Sequence, residues 1–300
     1  MDTSPDSRRA GWRFIRRALG GAALLIGAWM ALLTTLPLPG GKPVALSVGA
    51  VNHITAERFL LSPTCDVVLV GSSITMNLPA AHLGPGITNL GMAGLNACNG
   101  LELVLAHAPD HGKVAIEINF IYNHDDHSFI NDTLDPMRLW LQRVLPISRT
   151  ENQPINVLLR LLKRGEGDAT SGPVYDPPQD AVTIQRRDDA VKRMSVEMAK
   201  PPPEPDWSMG LMRLQTLAEG LRARGMLVAF YELPIDPRLM NAPRQVAARA
   251  ELHRRFAGWT WLELPQEALN EGRDTNDSIH LRPAAAARTA DYLRSLIAKW

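Results

Sequence analysis

Cysteine is scarce in this 300-residue chain, which has two, Cys65 and Cys98. A disulfide between them is excluded by where they fall. Cys65 opens the first apolar strand, and Cys98 lies in the first turn of the helix that follows Gly94, at the other end of the sheet. Five or six strand residues, roughly 17 to 20 Å, separate those ends. Two free, buried thiols are expected. Positive charge is scarce as well, the formal net charge being +1. The five arginines of the first 17 residues account for it and the remainder is slightly acidic, which excludes a nucleic-acid-binding surface. Metal-ligand spacing is also missing. The nearest approach, His124-Asp125-Asp126-His127, puts adjacent side chains in one loop and reads as a polar rim or hydrogen-bond cluster, so neither metal nor cofactor is expected.

What is there begins with an Arg-rich stretch over residues 1–17, followed by an uncharged apolar run over 18–36. At 1.5 Å per residue that run covers about 28 Å, close to the roughly 30 Å hydrocarbon core of a bilayer. Arginines precede it and only Lys42 follows closely, so the N-terminus is expected in the cytoplasm and everything past about residue 40 outside. The run is longer than the apolar core of a signal peptide, and no small-x-small cleavage site follows Thr34-Thr35-Leu36-Pro37-Leu38-Pro39. An uncleaved anchor over 18–37 in the inner (cytoplasmic) membrane is therefore expected, with 38–63 leading into a periplasmic domain over 64–300.

The domain is organised around Asp66-Val67-Val68-Leu69-Val70-Gly71-Ser72-Ser73-Ile74-Thr75, a β-branched apolar run that stops at a glycine and two serines. This is a buried strand ending in a tight turn. Ligands of α/β sheets bind at the carboxyl ends of parallel strands, so a hydroxyl on such a turn is well placed to be a nucleophile, and Ser73 is the candidate. Partners appear in Asn276-Asp277-Ser278-Ile279-His280-Leu281-Arg282-Pro283, where Pro283 would start a helix running to Trp300. Asp277 and His280 share one loop there, spaced so that the carboxylate orients the imidazole while the imidazole takes the serine proton.

Serine early and Asp-x-x-His late resembles the SGNH (GDSL-type) hydrolase superfamily, over about residues 64 to 300. By that resemblance Asn89-Leu90-Gly91-Met92-Ala93-Gly94-Leu95-Asn96 corresponds to the second block, which implies an oxyanion-hole amide at Gly94. Val114-Ala115-Ile116-Glu117-Ile118-Asn119 corresponds to the third, which implies an oxyanion-hole side chain at Asn119, with Asn123 as rival because Glu117 stands where the family has glycine. The first block reads Gly-Ser-Ser in place of Gly-Asp-Ser, a form that resembles membrane-tethered members used in acyl transfer onto cell-envelope polymers.

Further strands are predicted over 87–90, 113–119, 226–232 and 259–264, each preceded by a helical pattern such as Trp207, Leu211, Leu214, Leu217 and Leu221. The alternation predicts a three-layer α/β/α domain with a mostly parallel five-stranded sheet in flavodoxin-like order 2-1-3-4-5. In that arrangement the turns holding Ser73, Gly94, Asn119 and His280 open on one edge. Residues 120–205 break the pattern and read as an insertion over that edge, with helical pieces at 136–144 and 155–163 and a stiff Pro201-Pro202-Pro203-Glu204-Pro205 connector. Tyr122, Trp207, Trp259 and Trp261 could stack on sugars, but their spacing is that of core residues. Glu117, a carboxylate inside a strand, needs a partner that the sequence does not name.

The expected chemistry is acyl transfer through Ser73, His280 and Asp277. Water as acceptor makes the protein an esterase. A polysaccharide hydroxyl makes it an O-acyltransferase supplied by a membrane acyl-donor protein, a partner the resemblance implies. The competing expectation is a catalytically silent glycan-binding or scaffold domain of an envelope complex.

Overall fold

Five apolar runs pair into one sheet because each is flanked by a helix able to cover it. The computed structural model describes residues 5–35, 42–61, 66–107, 112–122, 125–162, 174, 176 and 178–300. In chain order the elements are α1 (Pro5–Thr35), α2 (Val48–Leu61), β1 (Val67–Gly71), α3 (Ser73–Met76), α4 (Ala80–Leu83), β2 (Ile87–Gly91), α5 (Ala97–His107) and β3 (Lys113–Glu117). There follow α6 (His127–Thr133), α7 (Pro136–Val144), α8 (Pro154–Leu162), α9 (Ala181–Met198), α10 (Asp206–Ala223), β4 (Leu227–Tyr231), α11 (Pro237–Met240), α12 (Pro243–Arg255), β5 (Thr260–Trp261), α13 (Gln266–Leu269) and α14 (Pro283–Lys299). Short 3-10 turns at Pro146–Ser148 and Thr150–Asn152 join α7 to α8, and another covers Asn270–Arg273.

All strand pairings are parallel and the order is β2-β1-β3-β4-β5. β1, an interior strand, is buried along its whole length. Side chains alternate across the pleat, and each set meets its own helices. Val68, Val70, Val114, Ile116, Val228 and Phe230 pack with α2, α5, α10 and α12, whereas Val67, Leu69, Ala115, Ala229 and Tyr231 pack with α9, α11 and α14. Two cores therefore flank the sheet. Trp207, Trp259 and Trp261 belong to the first of them, the last two clustered on Phe230.

Two elements differ from expectation. The fifth strand pairs only at Thr260–Trp261, at the sheet edge. The insertion contains an 18-residue helix, α9, capped by Asp180 accepting from the Thr183 amide at 2.7 Å. Only Val191 and Met198 of that helix are buried, so its polar sequence carries little apolar periodicity.

α1 is one uninterrupted helix through both the Arg-rich stretch and the apolar run. Within Gly11–Thr35 an 18-residue stretch has a mean hydropathy of 1.7, none of it buried, and the helix is long and apolar enough to cross a membrane. It touches the domain where the Trp29 indole donates to the Asn152 carbonyl at 3.1 Å.

Candidate active site

β1 delivers its chain end onto α3 through Gly71 and Ser72. Ser72 caps this one-turn helix, its hydroxyl accepting from the Ile74 amide, so that Ser73 is the first helical residue. A Cβ on Gly71 would lie 2.5 Å from both Glu117 Oε2 and Thr75 Oγ1, so glycine is the residue that lets strand and turn close together here. From the other end of the chain, the loop before α14 brings His280 Nε2 to 2.7 Å from Ser73 Oγ. His280 Nδ1 lies 2.7 Å from Asp277 Oδ2, and Asp277 Oδ1 accepts from the His280 amide at 2.9 Å.

The loop is closed by a bridge between Thr275 and Leu281 and by the Asn276 amide donating to the His280 carbonyl at 2.8 Å. Between the acid and the base, Ser278 takes a left-handed φ of 93°. That conformation is strained for serine, and it is held because the Asp236 amide donates to the Ser278 carbonyl at 2.9 Å. Partial burial pushes the Asp277 carboxyl up, but the hydrogen bonds from His280 outweigh it and hold it below the usual carboxylate range. An ionised acid is thus aimed at one imidazole nitrogen while the other faces the serine hydroxyl.

Glu117 has partners, and they belong to the turn that carries Ser73. Its Oε2 accepts from the Ser72 amide (2.8 Å), the Ser72 hydroxyl (3.0 Å), the Thr75 amide (3.3 Å) and the Thr75 hydroxyl (2.7 Å). Thr75 Oγ1 also meets the Tyr231 hydroxyl at 2.7 Å. Glu117 is 2% exposed. Burial raises its carboxyl above the ordinary value, the hydrogen bonds from Thr75 and Ser72 opposing that shift. The end of β3 is thereby tied to both residues that flank Ser73 and Ile74.

The turn after β2 runs beside the turn after β1, since Gly71 and Gly91 are in register and the Met92 amide donates to the Gly71 carbonyl at 2.9 Å. Gly91 has Met76 N only 2.2 Å from where a Cβ would be, so β2 and α3 approach at backbone distance. Gly94 is exposed with a φ of 76°. Its loop is held by Asn52 of α2, whose side chain donates to the Ala93 carbonyl (3.0 Å) and accepts from the Ala93 amide (2.9 Å). Asn89 donates to the Thr75 carbonyl at 2.6 Å and fastens the same corner. Sequence reading missed Asn52, a single asparagine in a largely buried helix whose partner lies 41 residues further on.

Asn119 is fully buried, donating from Nδ2 to the Leu233 carbonyl at 2.7 Å and accepting the Leu233 amide on Oδ1 at 2.8 Å. Both bonds clamp the chain beyond β3 to the chain beyond β4, and neither reaches the turn that carries Ser73. Its rival Asn123 lies outside the described residues.

The acidic loop resolves into separate roles. Asp125 pairs with Arg213 at 2.5 Å, and Asp126 caps α6 by accepting from the Phe129 amide at 2.9 Å. His127 Nε2 is 3.4 Å from Arg213, and His124 lies outside the described residues. Among the described residues no three His, Cys, Asp or Glu side chains are grouped for a metal. Cys98 is free and buried, and burial pushes its thiol up into an unreactive range. Cys65 lies outside the described residues. The end of the insertion borders the site: Gln179 donates to the Thr275 carbonyl at 3.3 Å, and Asp176 accepts from the Ala284 amide at 3.1 Å. On another side Lys42 hydrogen-bonds Asn77, the residue that ends α3.

No protein-family model matches the chain, and no curated protein matches it.

Proposed function

We propose that the protein is a membrane-anchored serine acyl-transfer enzyme of SGNH type. It takes acyl groups, acetyl above all, onto Ser73 and passes them to water or to a hydroxyl of a cell-envelope polysaccharide. The observation that carries this reading is the Asp277–His280–Ser73 relay, with both contacts at 2.7 Å.

His280 Nε2 removes the Ser73 proton as Oγ attacks the ester carbonyl, and Asp277 stabilises the imidazolium that forms. The carbonyl oxygen becomes an oxyanion, for which the backbone amides at Ser73 and Gly94 are the donors we assign. Removing one such donor costs about 3 to 4 kcal/mol in the barrier. Collapse breaks the ester bond, His280 returns the proton to the leaving alcohol, and an acyl-Ser73 ester remains. A second hydroxyl, from water or from a sugar, gives its proton to His280 and takes the acyl group by the same steps in reverse. A single anchor with an external domain suits acyl groups delivered near the membrane by another membrane protein.

The test is hydrolysis of p-nitrophenyl acetate by the full chain in detergent, with intact-mass detection of an acyl adduct. Wild type should turn over or gain one acetyl group. Ser73→Ala should lose the adduct and about 10⁴-fold or more in rate. A folded wild-type protein showing neither would leave the silent glycan-binding or scaffold reading in its place.

A further inference from the structure

Two helices of the insertion are amphipathic the wrong way round for a water-soluble domain. Arg138, Gln142 and Asn156 of α7 and α8 face inward, while Arg143 is exposed. Gln142 donates to buried Glu57 at 2.8 Å, Arg138 pairs with the same carboxylate at 3.0 Å, and Asn156 donates to the Thr150 carbonyl at 2.8 Å. Val157 is buried and Leu139 packs against the core, but most of the other large apolar side chains face outward. Met137, Trp140 and Val144 line one face of α7, Ile155, Leu158 and Leu162 one face of α8, and these six are between 43% and 73% exposed. Spacings of three, four and seven residues make each set a continuous stripe. Soluble proteins rarely leave such faces bare, and an outward apolar stripe over an inward polar one is the pattern of a helix lying in lipid.

We propose that α7 and α8 lie on the bilayer, forming a lipid-contacting platform beside the anchor. The occupant follows from continuity with α1. The segment joining the two helices holds Asn152, which receives the Trp29 indole, and α1 packs against the 3-10 turn at Pro146–Ser148. α1 is itself apolar and unburied over residues 18–35, a surface longer than either stripe. Among the described residues these three apolar surfaces have no covering partner, and meeting at one corner they share one solvent. Trp140 supplies an indole of the kind favoured at headgroup depth. This inference rests on the anchoring read in the proposed function, and it adds that the domain is docked on the membrane and does not hang free. The docking reaches the site through α2: Glu57 binds the platform, and Asn52, five residues earlier, holds the Gly94 loop.

The test is spin-label accessibility on the full chain in nanodiscs of phosphatidylethanolamine and phosphatidylglycerol. Labels are placed at Trp140→Cys, Leu158→Cys, Leu25→Cys in α1 and Leu227→Cys at the start of β4, with the parent chain giving the labelling background. Positions 140 and 158 should admit oxygen several-fold better than a water-soluble nickel chelate, as position 25 does, while position 227 shows the reverse. An aqueous pattern at 140 and 158 with a lipid pattern at 25 overturns the platform and leaves the anchor standing. An aqueous pattern at 25 overturns both. Labels at 140 and 158 closed to both reagents would mean that protein covers the stripes, and lipid is then the wrong occupant.

Discussion

Glu117 accepts from four donors of the turn that carries Ser73, yet those donors are not equally shared between its oxygens. Oε2 receives all four and Oε1 only a second contact from the Ser72 hydroxyl, at 2.9 Å. Glutamine can therefore replace it with its carbonyl at the Oε2 position, since the Ser72 hydroxyl can reverse and accept. Glu117→Gln should fold and keep activity within a few-fold. Glu117→Ala should lose about 3 kcal/mol or more of stability, because buried amides and hydroxyls are left unpaired, and most activity with it. The pH dependence has a definite sign. Burial raises the Glu117 carboxyl above 4.5, so in that window the folded state binds more proton than the unfolded state, and stability falls as pH rises from about 4.5 through the raised value. Urea midpoints at pH 4 and pH 8 should show glutamine gaining on wild type at the higher pH. Ser73, Asp277 and His280 could be named from the sequence because a Gly-Ser-Ser turn and an Asp-x-x-His loop are each recognisable motifs, although 207 residues separate Ser73 from His280. The partners of Glu117 could not, since Ser72 and Thr75 form no motif that points to a strand carboxylate and only the sheet register brings them near.

At the scale of elements, the strand positions were readable because continuous apolar runs have few other uses. β5 came out shorter than its apolar run, and α9 was missed because a helix with two buried residues repeats no pattern. The segment after β3 illustrates a different limit. A strand-ending asparagine can point its amide at a substrate or at the neighbouring chain, and residue type does not distinguish the two. Asn119 points at Leu233. Asn119→Ala should accordingly lower stability by about 2 to 4 kcal/mol, leaving a buried amide and carbonyl of Leu233 unsatisfied. At temperatures where the variant is folded, kcat for a small ester should stay within about tenfold of wild type, less than the loss of an oxyanion donor produces. Denaturant titration beside steady-state kinetics separates the outcomes.

For the whole molecule, the proposed orientation predicts that the full chain stays in the membrane pellet after alkaline carbonate extraction. Protease added to spheroplasts should digest a C-terminal tag and spare an N-terminal one, because the arginines of α1 hold that end inside. Digestion of the N-terminal tag would reverse the orientation. The contact between Lys42 and Asn77 has a further consequence. Seven peptide steps join Thr35, where α1 ends, to Lys42, and a chain of that length spans at most about 25 Å. Asn77 ends the helix on which Ser73 sits. Under the proposed function Ser73 is thus on a short leash, and its working radius is a thin shell above the lipid. A long polymer could be modified only where its growing or attached end passes through that shell, so the position of acyl groups along the polymer would record the order in which segments left the membrane.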